Sequence, residues 1–277
     1  MTTAMPARTA LQSRTALLGA AAGLLILAVM LVPFPLASAL PGGGYPDVSA
    51  LGHAMDSGFV AYWRAGTGSL GSGLQTAVDF WARFHIIKAV LAAVLLAVLV
   101  PLGSRIWGAY ATAPRRGRRL LLAVTGVFHA GIALLALLVL VANIQGAIAP
   151  LSSALGLMSV GDPGPALADV TGQVRDGLDA GQQSAALDLL VRDFTVYHAA
   201  MAGVGTMVTV GLLVAAVILV RRRARMPRTE RRLRRVHLLG VVSLICLAAL
   251  FGLVTVANVS TVAHPAAALL GFFDGGL

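Results

Sequence analysis

The sequence predicts an all-α protein, a polytopic membrane helix bundle with five spans, and three observations carry that prediction. Hydrophobic residues make up 58% of the 277 and charged residues only 12%, with a mean hydropathy of +0.85, whereas a soluble domain carries about 25% charge. The apolar residues gather in blocks long enough to cross a hydrocarbon core of about 30 Å, which takes roughly 20 helical residues. The arginines sit in short loops beside those blocks.

Taken in order, residues 1–15 form a tail with Arg8 and Arg14 and no acid. The first span is Ala16–Leu40 and the second Phe84–Leu102, with a long loop between them. A basic loop, 103–119, carries Arg105, Arg115, Arg116, Arg118 and Arg119. The third span, Leu120–Ala149, and the fourth, Tyr197–Val220, flank a second long loop. A second basic loop, 221–235, holds nine arginines against Glu230 alone. The fifth span, Val236–Ala263, leads into the C-terminal residues. The two long loops hold nine of the eleven acids and only Arg64, Arg83, Arg175 and Arg192. Basic loops stay in the cytoplasm, so this asymmetry predicts N-in, C-out in the cell membrane.

The net charge of +10 and pI of 11.3 invite a nucleic-acid reading. The placement of the arginines excludes it, because they flank apolar spans as the positive-inside rule requires. The basic loops are instead expected to meet anionic lipid headgroups. The bias to Arg over Lys, and to Ala, Gly and Val, points to a GC-rich bacterial genome. Cys246 is the only cysteine, so there is no disulfide framework and no cysteine metal site.

The chain repeats itself. Val141-Ala142-Asn143, Pro150 and Leu155-Gly156 match Val256-Ala257-Asn258, Pro265 and Leu270-Gly271 at one offset. The same offset takes Pro150 back to Pro35, where Pro35-Leu36-Ala37-Ser38-Ala39-Leu40 resembles Pro150-Leu151-Ser152-Ser153-Ala154-Leu155. In the long loops, Val48, Leu51, Met55 and Phe59 step like Leu167, Val170, Val174 and Leu178. A further stripe, Leu74, Val78 and Trp81, matches Leu187, Val191 and Phe194. Such spacing predicts two short amphipathic helices in each outer loop. The unit is thus an outgoing span, outer helices and a returning span, in residues 16–102 and 120–220, with a half unit in 236–277. Both full units start inside, which makes this a parallel repeat about an axis along the membrane normal.

The repeat also bears on the first span. Arg8, Arg14, an apolar core and Ala37-Ser38-Ala39 together imitate a secretory signal with its cleavage site. A cleavage site has no reason to recur at Pro150, so Pro35–Leu40 reads as a structural helix end.

Six polar residues in the spans are candidates for function. His85 and His198 hold matching positions after an aromatic residue, in Phe84-His85 and Tyr197-His198. Two imidazoles from two helices are what a bis-histidine haem b requires, and an interfacial aromatic belt is the plainer explanation. Lys88, the only lysine, lies three residues on, with Met201 at the matching place in the second copy. It can snorkel outward. His129 falls nine residues into its span, where a neutral His needs a partner such as Thr125, Asn143 or Thr209. Asn143 and Asn258 recur at equal depth, where an amide serves as an interhelical clamp or, alternatively, lines a pore. Gly161-Asp162-Pro163-Gly164 reads as a turn.

No phosphate loop, metal-ligand spacing, nucleophile motif or carboxylate pair stands in the sequence. No span has an interior Asp or Glu, which weighs against proton-coupled transport. Three classes follow. The favoured one is a non-enzymatic scaffold or accessory subunit that works with a membrane-protein partner or a second copy of itself. The others are a transporter or channel for a small or lipidic substrate, and a haem- or quinone-linked redox anchor.

Overall fold

The computed structural model describes residues 5–159 and 163–275, with side chains from residue 13 onward. The turn expected at Gly161-Asp162-Pro163-Gly164 therefore falls partly outside the described residues, as does the side chain of Arg8. The described residues are helical with no strand. The helices are α1 (Met5–Leu31), α2 (Pro33–Ala39), α3 (Val48–Ala65), α4 (Gly71–Thr112), α5 (Arg116–Ile148), α6 (Pro150–Leu155), α7 (Pro165–Asp179), α8 (Ala185–Arg225), α9 (Arg231–Ala263) and α10 (Pro265–Phe273). Five of them, α1, α4, α5, α8 and α9, are long and apolar enough to cross a membrane.

The helices run into the segments read as tail and loops, with α1 starting at Met5, α4 reaching Thr112 and α8 reaching Arg225, and three further boundaries differ. The first span is not one helix to Leu40, because the chain breaks at Val32 and restarts at Pro33. Proline lacks the amide needed inside a helix but fits its first position. Ala149–Pro150 and His264–Pro265 break the same way, with Ala149 at φ −128° and His264 at φ −135°. The proline that opens the first short helix is thus Pro33, two residues before the Pro35 that matches Pro150 by offset. Secondly, the stripes at Leu74–Trp81 and Leu187–Phe194 are not separate short helices. They are the N-terminal turns of α4 and α8, which run unbroken into the spans. Even Pro101 lies within α4. Thirdly, the residues after the fifth span form a helix of their own, α10.

The chain divides into two compact units. The first comprises Met1–Val32, Lys88–Leu140 and Met207–Phe251. Its core is thin, built around Ala22, Val29, Leu95, Leu99, Leu102 and Ala136. Across the five candidate spans only 11–28% of each apolar window is buried. Leu24, Phe128 and Met207, for example, stand at 69%, 71% and 66% exposure. Apolar side chains in that state suit hydrocarbon rather than water.

The second unit comprises Pro33–Ile87, Val141–Thr206 and Gly252–Leu277, and it has a close-packed core. The expected stripes are its inner faces. Leu51, Met55 and Phe59 of α3, Val170 and Val174 of α7, and Leu269 of α10 are fully buried. Val48 alone of the first stripe stays half exposed. Burying a large apolar side chain contributes about 1.5–3 kcal/mol. Gly58 permits this packing, because a Cβ there would stand 3.0 Å from the Leu74 Cα. Asp56 ties α3 to the segment after α6, accepting from the Ser159 amide at 3.1 Å and hydroxyl at 2.9 Å.

Tyr62 is buried in this core and donates its hydroxyl to the Ala186 carbonyl. Burial, with a smaller effect from Asp193, raises the phenol's pKa above its ordinary value. The neutral phenol is therefore the form the fold favours. Its stabilisation is full below the unfolded-state pKa of about 10 and declines as pH climbs beyond it. Tyr62→Phe removes this buried hydrogen bond and is expected to cost about 0.5–1.5 kcal/mol. Chemical unfolding at neutral pH measures that cost. At strongly alkaline pH the gap between wild type and variant should narrow, and a constant gap would contradict the assignment.

Candidate functional site

The polar residues of the second unit assemble into two small networks. In the first, His85 lies on α4 and is buried at 8% exposure. Its Nδ1 is 2.8 Å from Oδ1 of Asn143 on α5. An amide oxygen only accepts, so Nδ1 carries the proton and Nε2 offers a lone pair. That lone pair is 3.0 Å from the Ser153 hydroxyl of α6. Trp81, one turn before His85, donates its indole N–H to the same Ser153 oxygen at 3.2 Å. The chain of donors therefore runs one way, from Trp81 to Ser153 to His85 to Asn143.

Aromatic rings wall this network. Trp81 stacks on Phe84 at 4.6 Å between centroids, and its edge meets His85 at 4.7 Å. On the other side Gly146 brings the α5 backbone against the imidazole, where a Cβ would fall 2.5 Å from Nε2. One residue earlier, the Gln145 amide donates to the Tyr197 carbonyl at 3.2 Å. Asp193 of α8 accepts from both the amide and the hydroxyl of Ser152, at 2.7 and 2.6 Å. A carboxylate so close to the start of α6 also meets the positive end of that helix.

In the second network, His198 Nδ1 lies 2.8 Å from Oδ1 of Asn258. Asn258 donates its amide nitrogen to the Val254 carbonyl at 2.8 Å, which fixes the side chain's orientation. Phe194 and Tyr197 pack on His198 at 4.5 and 5.4 Å.

Of the six residues expected from sequence, four thus pair off: His85 with Asn143, and His198 with Asn258. Each bond joins two helices, α4 to α5 and α8 to α9, as an interhelical clamp does. His129 lies in the first unit, where its ring rests against Gly103 and hydrogen-bonds the Leu99 backbone. Its partner is main chain rather than the side chain expected, and its Nε2 is buried without a hydrogen bond. Lys88 is partly buried on α4 and engaged by its surroundings. Sequence reasoning did not assign roles to Ser153, Gln145 or Asp193. Ser153 stood inside the repeated Pro150 string, and Trp81 lies four residues before His85, on the same helix face.

A haem b does not fit His85 as it is held. An iron ligand needs a free imidazole lone pair, and here Nε2 is engaged by Ser153 while Nδ1 faces Asn143. Among the described residues no three His, Cys, Asp or Glu side chains gather as a metal site. The hydroxyl–imidazole–amide order does resemble a nucleophile, a base and an orienting group. No protein-family model, curated protein or solved structure matches this chain.

If the His85–Asn143 bond holds α4 to α5, its removal should be felt as stability. His85→Ala and Asn143→Ala are each expected to destabilise the detergent-solubilised protein, with a coupling of about 0.5–2 kcal/mol in a double-mutant cycle. Gly146→Ala should act in the same direction by displacing the ring. Additive single effects would show that the two side chains do not work as a pair.

Proposed function

We propose that this chain is a non-enzymatic scaffold or accessory subunit of a membrane complex. It sits in the cell membrane with its N-terminus in the cytoplasm, and α2, α3, α6, α7 and α10 form a small cap on the outer side. The observation that carries this reading is how the polar candidates are used. His85, Asn143, His198 and Asn258 are spent on one another rather than presented to a ligand. The spans around them leave most of their apolar surface exposed, a surface on which lipid or partner helices pack.

The internal parallel repeat belongs to this proposal. Its support is geometric as well as sequential: two His–Asn bonds of equal length, each under two aromatic rings. Each short helix, α2, α6 and α10, opens on a proline and fully buries the residue four places on, Ala37, Ala154 and Leu269. Duplicated packing without duplicated catalytic groups is what a structural subunit needs.

The test is purification of the tagged full chain from its native membrane in mild detergent. A membrane-protein partner, or a second copy, should be retained at fixed stoichiometry. Monomeric protein that passes solutes through the wall of a proteoliposome would replace this reading with transport.

One observation favours a second reading. Ser153 Oγ lies 3.0 Å from His85 Nε2, and Asn143 orients the imidazole, which is the geometry of an activated serine. A fluorophosphonate probe decides between the two. The scaffold reading expects no labelling, since Ser153 Oγ also receives the Trp81 N–H. Labelling at Ser153 that His85→Ala abolishes would make the protein a serine hydrolase.

A further inference from the structure

We propose that the turn between α8 and α9 is a binding site for a phosphate-bearing anion, either the headgroup of an acidic lipid or a free phosphate compound. Arg223, Arg228, Arg231, Arg234 and Arg235 line a cavity of about 290 Å³ there, all within the first unit. Five guanidinium groups around one space repel each other, and the segment supplies only Glu230 against them. Among the described residues none of the five is in an ion pair.

Two features show that charge is arranged here rather than merely abundant. Arg223 Nε is buried with no hydrogen-bond partner, an arrangement that is unfavourable by itself. Beside it, Arg234 is locked in place, its Nη1 donating to the Arg223 and Met226 carbonyls at 2.8 and 2.9 Å. The helix ends differ as well. Arg222, Arg223 and Arg225 close α8, where its dipole favours cations. Arg231, Arg234 and Arg235 open α9, which has no acid in its first turn and where the dipole opposes them. An anion in the cavity would offset both that dipole penalty and the mutual repulsion of the arginines. Phosphate suits the site because guanidinium forks bind it with paired, charge-assisted hydrogen bonds. This inference does not depend on the scaffold reading.

The loop at Arg115–Arg119 provides the control, since α5 also opens on arginines without an acid. The experiment uses the full chain in nanodiscs of neutral phosphatidylcholine, with or without phosphatidic acid, and adds inorganic pyrophosphate to the neutral discs. Thermal unfolding reports binding, because a ligand of the folded state raises the midpoint. One or both probes should stabilise the protein saturably. Arg231→Gln/Arg235→Gln should weaken apparent affinity by about tenfold or more, and Arg116→Gln/Arg118→Gln by less than about twofold. If the double variant does not elute as folded protein, Arg228→Gln gives the same reading from an exposed position. Response to phosphatidic acid alone identifies a lipid headgroup, and response to pyrophosphate that competes with the lipid identifies a free phosphate compound. Absence of stabilisation by both probes, or equal loss in both variant pairs, would overturn the proposal.

Discussion

A polar side chain in an apolar span must find its partner within the protein, and the His–Asn hydrogen bond is how this chain meets that demand. Leaving a buried donor or acceptor unpaired costs about 1–3 kcal/mol, a large fraction of what holds any domain together. The bond at His85 dictates much of its surroundings. Asn143 must present its oxygen, so the imidazole proton lies on Nδ1. Nε2 then needs a donor, and Ser153 supplies it. The ring needs room, and Gly146 alone can give it at that distance from the α5 backbone. A single pairing thereby fixes the relation of α4, α5 and α6 within the second unit.

The two units obey different physics. The first has a thin core and exposed apolar faces, as expected where lipid competes equally well for apolar side chains and helix association rests on close packing. There the glycines matter by allowing approach: Gly103 receives His129, and Gly126 receives Trp107. The second buries Phe59, Tyr62, Leu155, Val170 and Leu269 almost completely. A core of that kind gains its stability from removing apolar area from water.

How much of this could be read in the sequence depended on the range of the interaction. The five apolar helices were legible because a span declares itself by length and composition alone. The inner faces of α3 and α7 were legible through spacing, since Leu51, Met55 and Phe59 fall on one side of any helix that contains them. The break at Pro33 was not foreseen, because Ala16–Leu40 is apolar throughout and composition alone does not mark where a proline ends one helix and opens the next. The unbroken run of α4 was missed because its N-terminal turns are amphipathic and its later ones uniformly apolar, so one helix presented two patterns. His85 and Asn143 were each singled out, but their pairing spans 58 residues of sequence and nothing local encodes it. The roles of Ser153 and Asp193 were invisible for the same reason.

Within the proposed repeat, the differences between the two His–Asn networks carry more information than their likeness. The second network keeps its His–Asn bond with Phe194 where the first has Trp81, and with Ala268 where the first has Ser153. That bond therefore stands without a hydroxyl or an indole N–H beside it, and the two added groups in the first copy are not required by the clamp itself. Lys88 is likewise confined to the first copy, opposite Met201. Trp81, Ser153 and Lys88 are polar where Phe194, Ala268 and Met201 stand at the matching positions of the proposed repeat. The clamp at His85 and the groups around it, Trp81 and Ser153, are thus separable, and only the clamp is needed to hold α4 to α5.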